Sequence, residues 1–85
     1  MFKIKASDGK NNITGKRIAE IRTSRGLSQR KLAAKMQLIG FDVDHYFIRR
    51  VENGERFVTD IDLVIFARAL QVEISDLLNA KNEKI

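Results

Sequence analysis

The residues with chemistry to offer a partner cluster between positions 45 and 50: His45, Tyr46, Arg49 and Arg50. On a helix they point away from the face made by Ile48 and Val51. A basic, donor-rich outer face on one short helix is what contact with base edges and phosphates requires. Arginine can fork onto guanine, and His and Tyr can bond bases or phosphates. Other chemistries fit the same stretch poorly. His45 is the only histidine, and Asp42 and Asp44 stand beside it, but the three straddle a helix start and do not share one face. No nucleophile–base arrangement is visible, so the chain does not read as an enzyme. Thr14-Gly15-Lys16-Arg17 faintly suggests a phosphate loop. However, five residues separate Gly9 from Gly15 where four are needed, and Arg17 replaces the hydroxyl that would hold magnesium. Neither a cofactor nor a metal is expected.

The elements that position these residues must come from a small chain. Eighty-five residues make one domain at most. With 44% hydrophobic and 32% charged residues, the balance is that of a soluble globular protein. Cysteine is absent, which removes disulfides and thiol chemistry and fits a reducing compartment. No apolar run is long enough for a membrane span, and residues 1–10 lack the apolar core of a secretory signal, so a cytoplasmic location is expected. Sixteen Lys and Arg against eleven Asp and Glu give a net charge of +5, a weak pointer to a polyanion.

The periodicity predicts an all-α chain of five short helices. Residues 1–12 read as a flexible N-terminal arm, with Phe2-Lys3-Ile4-Lys5 either wrapping a partner or disordered. Helix 1 should start near Ile13 or Thr14, carry Ile18 and Ile21 inward, and stop near Arg25 before Gly26. Ser28 can cap helix 2, which carries Leu32, Ala33 and Met36, and residues 37–43 form a connection with Gly40 at its centre. Asp44 can cap helix 3, which runs to Asn53 and is ended by Gly54. Thr59 and Asp62 are spaced as an acidic capping box for helix 4, with Leu63, Phe66, Ala67 and Leu70 inward. Ser75 should cap a short helix 5 bearing Leu77 and Leu78. Residues 13–79 form the domain and 80–85 a polar tail.

Two helices joined by a turn, with the donor-rich face on the second, form a helix-turn-helix. The stretches GKRIAEIRTSRGLSQRKLAAKM, HYFIRRVENGERF and DIDLVIFARALQVEISDLL resemble the Cro/repressor-type (XRE) helix-turn-helix family of phage and bacterial regulators. The resemblance covers residues 13–79. It implies a compact five-helix, lambda-repressor-like domain, usually a homodimer, binding a two-fold-related operator in double-stranded DNA to regulate transcription. Repression by excluding polymerase is the expected mode.

Carried over by position, the resemblance implies DNA contacts by Gln29 of helix 2, by His45, Tyr46, Arg49 and Arg50, and by Asn53 and Arg56 at and beyond the end of helix 3; Arg30 and Asp44 are further candidates beside them. Gln29 would touch a phosphate or brace a side chain of the recognition helix. Arg22 and Glu52 match an ion pair that ties helix 1 to helix 3. Two departures stand out. The connection between helices 2 and 3 is longer than the usual tight turn and brings Leu38, Ile39 and Phe41. Phe47 stands where the family usually has Ser or Thr, either packing on that long turn or meeting a thymine methyl. Asp44 is either the helix cap or an acceptor for cytosine. Val72, Ile74, Leu78 and Ile85 exceed what one small core needs, which suggests a symmetric dimer contact. A rival function, from another class, is an antitoxin that autoregulates its operon while a second surface binds a toxin.

Overall fold

Helix ends in this chain are set by side chains and turns that satisfy backbone groups left over by the helices. In the computed structural model, which describes residues 5–78, the elements are α1 (Gly15–Ser24), α2 (Gln29–Leu38), α3 (His45–Glu52), α4 (Asp60–Leu70) and α5 (Ile74–Leu78). Among the described residues there is no strand, so the all-α, five-helix expectation holds. Three starts are capped as the sequence suggests. Ser28 Oγ accepts from Lys31 N at 3.0 Å and Asp44 Oδ1 from Phe47 N at 3.0 Å. Thr59 and Asp62 close a reciprocal capping box.

One of the other two starts falls where expected but is capped from further upstream, and the last differs from expectation. α1 begins at Gly15, and the Thr14 side chain makes no cap bond. Instead Asn12 Oδ1 accepts from Gly15 N at 2.8 Å. Ser75 is not the cap of α5 but lies inside it. There the Asp76 carboxylate reaches back to Glu73 N at 3.0 Å, so the cap sits before Ile74.

The first four helices end alike. Leu27 N returns to Arg22 O, Phe41 N to Met36 O, Glu55 N to Arg50 O and Val72 N to Ala67 O, at 2.9–3.1 Å. These closures are Schellman motifs, each turning through a residue at positive φ. Gly26 and Gly54 take that position as expected. Gly40 does too, because α2 runs on through Leu38; it closes the helix and does not sit mid-loop. At the fourth closure the residue is Gln71, at φ 58°, where a Cβ costs about 1 kcal/mol.

The apolar stripes meet in one core. Ile18, Leu32, Met36, Ile48, Val51, Phe66, Leu70 and Leu77 are fully buried, each contributing roughly 1.5–3 kcal/mol of transfer free energy. α3 packs on α1 and α2, while α4 lies behind α1 and α2 and carries α5. The outer side of α3 is thereby left uncovered.

Where an N-terminal arm was expected, residues 6–12 are folded onto the body. Ala6 N donates to Lys10 O and Gly9 N to Ala6 O, both at 2.9 Å, and Ala6 is buried. Residues 1–4, including Phe2 and Ile4, lie outside the described residues, as do Ile85 and the tail 80–85. Among the described residues no helix is long and apolar enough to cross a membrane.

Candidate nucleic-acid interface

α3, which bears the donor-rich outer face, is held from its C-terminal end. Glu52 accepts from Arg22 Nε at 2.6 Å and Arg22 Nη2 at 3.0 Å, a bidentate pair whose side chains are 7% and 14% exposed. Arg22 Nη1 also donates to Leu27 O at 2.8 Å, so the guanidinium bridges α1, α3 and the turn after α1. Gln29 Nε2 adds a third bond to the same carboxylate, at 3.0 Å. Of the two roles considered for Gln29, bracing the recognition helix is the one this geometry displays.

A second anchor comes from residues that the sequence reading placed in the arm. Asn12 Nδ2 donates to Val51 O at 3.1 Å and to Arg56 O at 2.7 Å. Asn11 N donates to Gly54 O, and its Nδ2 to Glu55 O, both at 2.9 Å. Four carbonyls at and beyond the end of α3 are thus claimed by two adjacent asparagines. The approach is close: a Cβ on Gly15 would overlap the Val51 carbonyl, and one on Gly54 would strike the Lys10 side chain. An Asn three residues ahead of a helix start is a local capping signal for Asn12. Its bonds to positions 51 and 56 have no such local signature.

The outer face carries the expected donors. Tyr46 is 57% exposed, and Arg49 and Arg50 are exposed beside it. His45 is half-buried, with its ring centroid 4.1 Å from that of Tyr46. Arg30, exposed on α2, shares a shallow crevice with Asp44 and His45. Asn53 is exposed at the end of α3 and donates to Glu55 Oε2 at 3.3 Å. Arg56 is exposed on the following loop. No carboxylate among the described residues forms an ion pair with Arg30, Arg49, Arg50 or Arg56. Four guanidinium groups are therefore available to an anion.

The departures noted in the sequence have structural roles. The longer connection spans residues 39–44, shortened at its start because α2 continues through Gln37 and Leu38. Ile39, Phe41 and Val43 pack against the core, and Gln37 Nε2 holds Val43 O at 2.7 Å. Leu38, by contrast, is 88% exposed. Phe47 packs: its ring stacks on Phe66 with centroids 5.9 Å apart and meets Phe41 edge-on at 5.9 Å. Asp44 is the α3 cap.

The helix-turn-helix family model matches residues 18–77. The chain belongs to the helix-turn-helix family. The restriction-modification controller protein C.AhdI from Aeromonas hydrophila is 34% identical, with a TM-score of 0.67 over 75% of this chain and 89% of its own. ClgR, the clp gene regulator from C. glutamicum, is 23% identical, with a TM-score of 0.68 over 76% of this chain and 78% of its own; it shares the fold. No curated protein sequence matches the chain. The XRE-type resemblance read from the sequence is borne out, and this helix-turn-helix protein is a DNA-binding transcriptional regulator.

Proposed function

We propose that this helix-turn-helix protein is a repressor that binds an inverted-repeat operator as a homodimer, reading the major groove with α3. The observation that carries the reading is the exposed row of Tyr46, Arg49 and Arg50. No protein carboxylate among the described residues occupies these arginines, and the helix bearing them is pinned through its opposite face and its C-terminal end. His45 extends the row toward the first turn, which in such motifs lies nearest the bases. Arg30, Asn53 and Arg56 flank it as phosphate contacts, supplying affinity without sequence information. The controller protein at 34% identity supports a regulator of gene expression.

For the second protomer, the apolar surface on and before α4 offers one contact. Phe57 (43% exposed), Ile61 (65%) and Val64 (42%) lie there, the last two three residues apart on one helical face. Of the residues singled out in the sequence for this role, Ile74 and Leu78 are exposed, whereas Val72 packs against the core. An isologous contact through α4 would give the dimer the two-fold symmetry that an inverted repeat demands.

Selection from random duplex DNA at about physiological salt tests the whole reading. The expected product is an inverted repeat whose half-sites lie about one helical turn apart. Enrichment of a lone half-site would keep α3 as the reader and remove the dimer. Salt-sensitive retention with no enriched sequence would sink sequence reading. Co-purification of a second small protein that displaces the DNA would bring forward the antitoxin reading.

A further inference from the structure

We infer that Phe47 and Asn12 are positioning residues for a phosphate contact made by Arg56, which the fold holds at both its backbone and its guanidinium. The inference rests on the reading above, in which α3 faces DNA.

Arginine is a long chain whose free rotamers must be given up when it grips an anion, so a pre-set guanidinium binds at lower entropic cost. Arg56 is exposed and has no carboxylate partner among the described residues, although Asp42 and Asp44 border the same groove. It is nevertheless placed. Its Cζ lies 4.7 Å from the centroid of the Phe47 ring, a cation–π contact. Phe47 is in turn stacked on Phe66, which is fully buried, so the shelf beneath the guanidinium is rooted in the core. The edge of Phe41, brought by the longer connection, closes another side of the ring.

The chemistry of that contact matters. A contact with a ring spends none of the guanidinium N–H groups on an oxygen acceptor, whereas a carboxylate partner would have consumed them. The backbone is fixed separately. Asn12 Nδ2 binds Arg56 O at 2.7 Å, and Arg56 N returns to Arg50 O at 3.3 Å. An arginine anchored at both ends, with its donor edge open, is prepared for a phosphate at a set distance from the bases met by α3. The unusual phenylalanine of the recognition helix and the asparagine of the N-terminal turn thus serve one side chain.

The test is a double-mutant cycle on DNA affinity, read by fluorescence anisotropy. It uses the full chain and a labelled duplex carrying the selected operator, or a mixed-sequence duplex if none is selected, across about 50–200 mM salt. Arg56→Ala should weaken binding and lower the log–log salt slope by about 1. Phe47→Leu and Asn12→Asp should each weaken binding about two- to tenfold when Arg56 is present, and by no further factor in the Arg56→Ala background. Phe47→Tyr, which keeps the ring, should restore affinity. Asn12→Asp keeps the acceptor for Gly15 N and removes both donors, so the cycle stands even where Phe47→Leu fails to fold. Equal losses in both Arg56 backgrounds, following thermal stability, would make the two residues merely structural and overturn the inference. If Arg56→Ala leaves affinity and salt slope unchanged while Arg50→Ala weakens binding, the inference fails and α3 remains the reader. If neither substitution matters, the DNA-reading assignment itself falls.

Discussion

The two ends of α3 are built on different principles. At the C-terminal end, Glu52 accepts three side-chain hydrogen bonds. Asn11 and Asn12 take up the carbonyls of Val51, Gly54, Glu55 and Arg56. At the N-terminal end one cap bond accepted by Asp44 and the aromatic packing of Phe47 hold the helix, and Tyr46 projects outward beside the His45 ring. The contrast teaches how a short helix can be both fixed and available. Its orientation is set through its buried side and the carbonyls at and beyond its C-terminus, while the side chains on its outer face stay unspent for a partner.

Breaking the anchored end should have the largest effect. Glu52→Ala leaves the guanidinium of Arg22 nearly buried without its partner, and should cost about 3 kcal/mol in urea unfolding. Arg50→Ala acts on the available face. It should cost about 1–3 kcal/mol of binding and relax base preference at one position while leaving the melting temperature unchanged. Equal weakening on specific and random duplexes would make Arg50 a phosphate contact instead. Asp44→Ala, at the lightly held end, should lose about 1 kcal/mol of stability. A loss as large as that of Glu52→Ala would erase the contrast between the ends. Gln71→Gly, at the left-handed end of α4, is the smallest change. Relief of the strained φ, less the chain entropy of glycine, should stabilise by roughly 0.5 kcal/mol with no change in DNA affinity.

What was legible in the sequence was whatever is written locally. The inward Ile48 and Val51 and the outward Arg49 and Arg50 follow from a 3.6-residue period. The caps at Ser28, Asp44 and Thr59 and the closures at Gly26 and Gly54 depend on neighbours within a few residues. The Arg22–Glu52 pair is not local and came from the family resemblance. Ser75 misled because α5 begins one residue before it, at Ile74, with the Asp76 carboxylate accepting from Glu73 N. The asparagine anchor was missed for a different reason. Asn11 and Asn12 sit among polar turn residues that resemble a loose terminus, and their partners lie some forty positions along the chain. The aromatic shelf under Arg56 was half visible: packing of Phe47 was one of two readings, but its stacking partner Phe66 lies on another helix, nineteen residues along the chain.

The four repeated helix closures also bear on how the chain reaches its final shape. Each is completed by a hydrogen bond between residues five positions apart, so most reversals of direction can form without help from distant segments. Local contacts of this kind favour rapid folding. The Asn12 bonds instead join residues 39 and 44 positions apart, and they become favourable only after a large loop has closed. The helical core can therefore assemble while the end of the reading helix is still unclasped. Native-state hydrogen exchange should find the same seam, with the amides of residues 6–12 and 54–56 opening before those of α2 and α4. In a growing or partly unfolded chain, competence to hold DNA would then be the last property to arrive and the first to be lost.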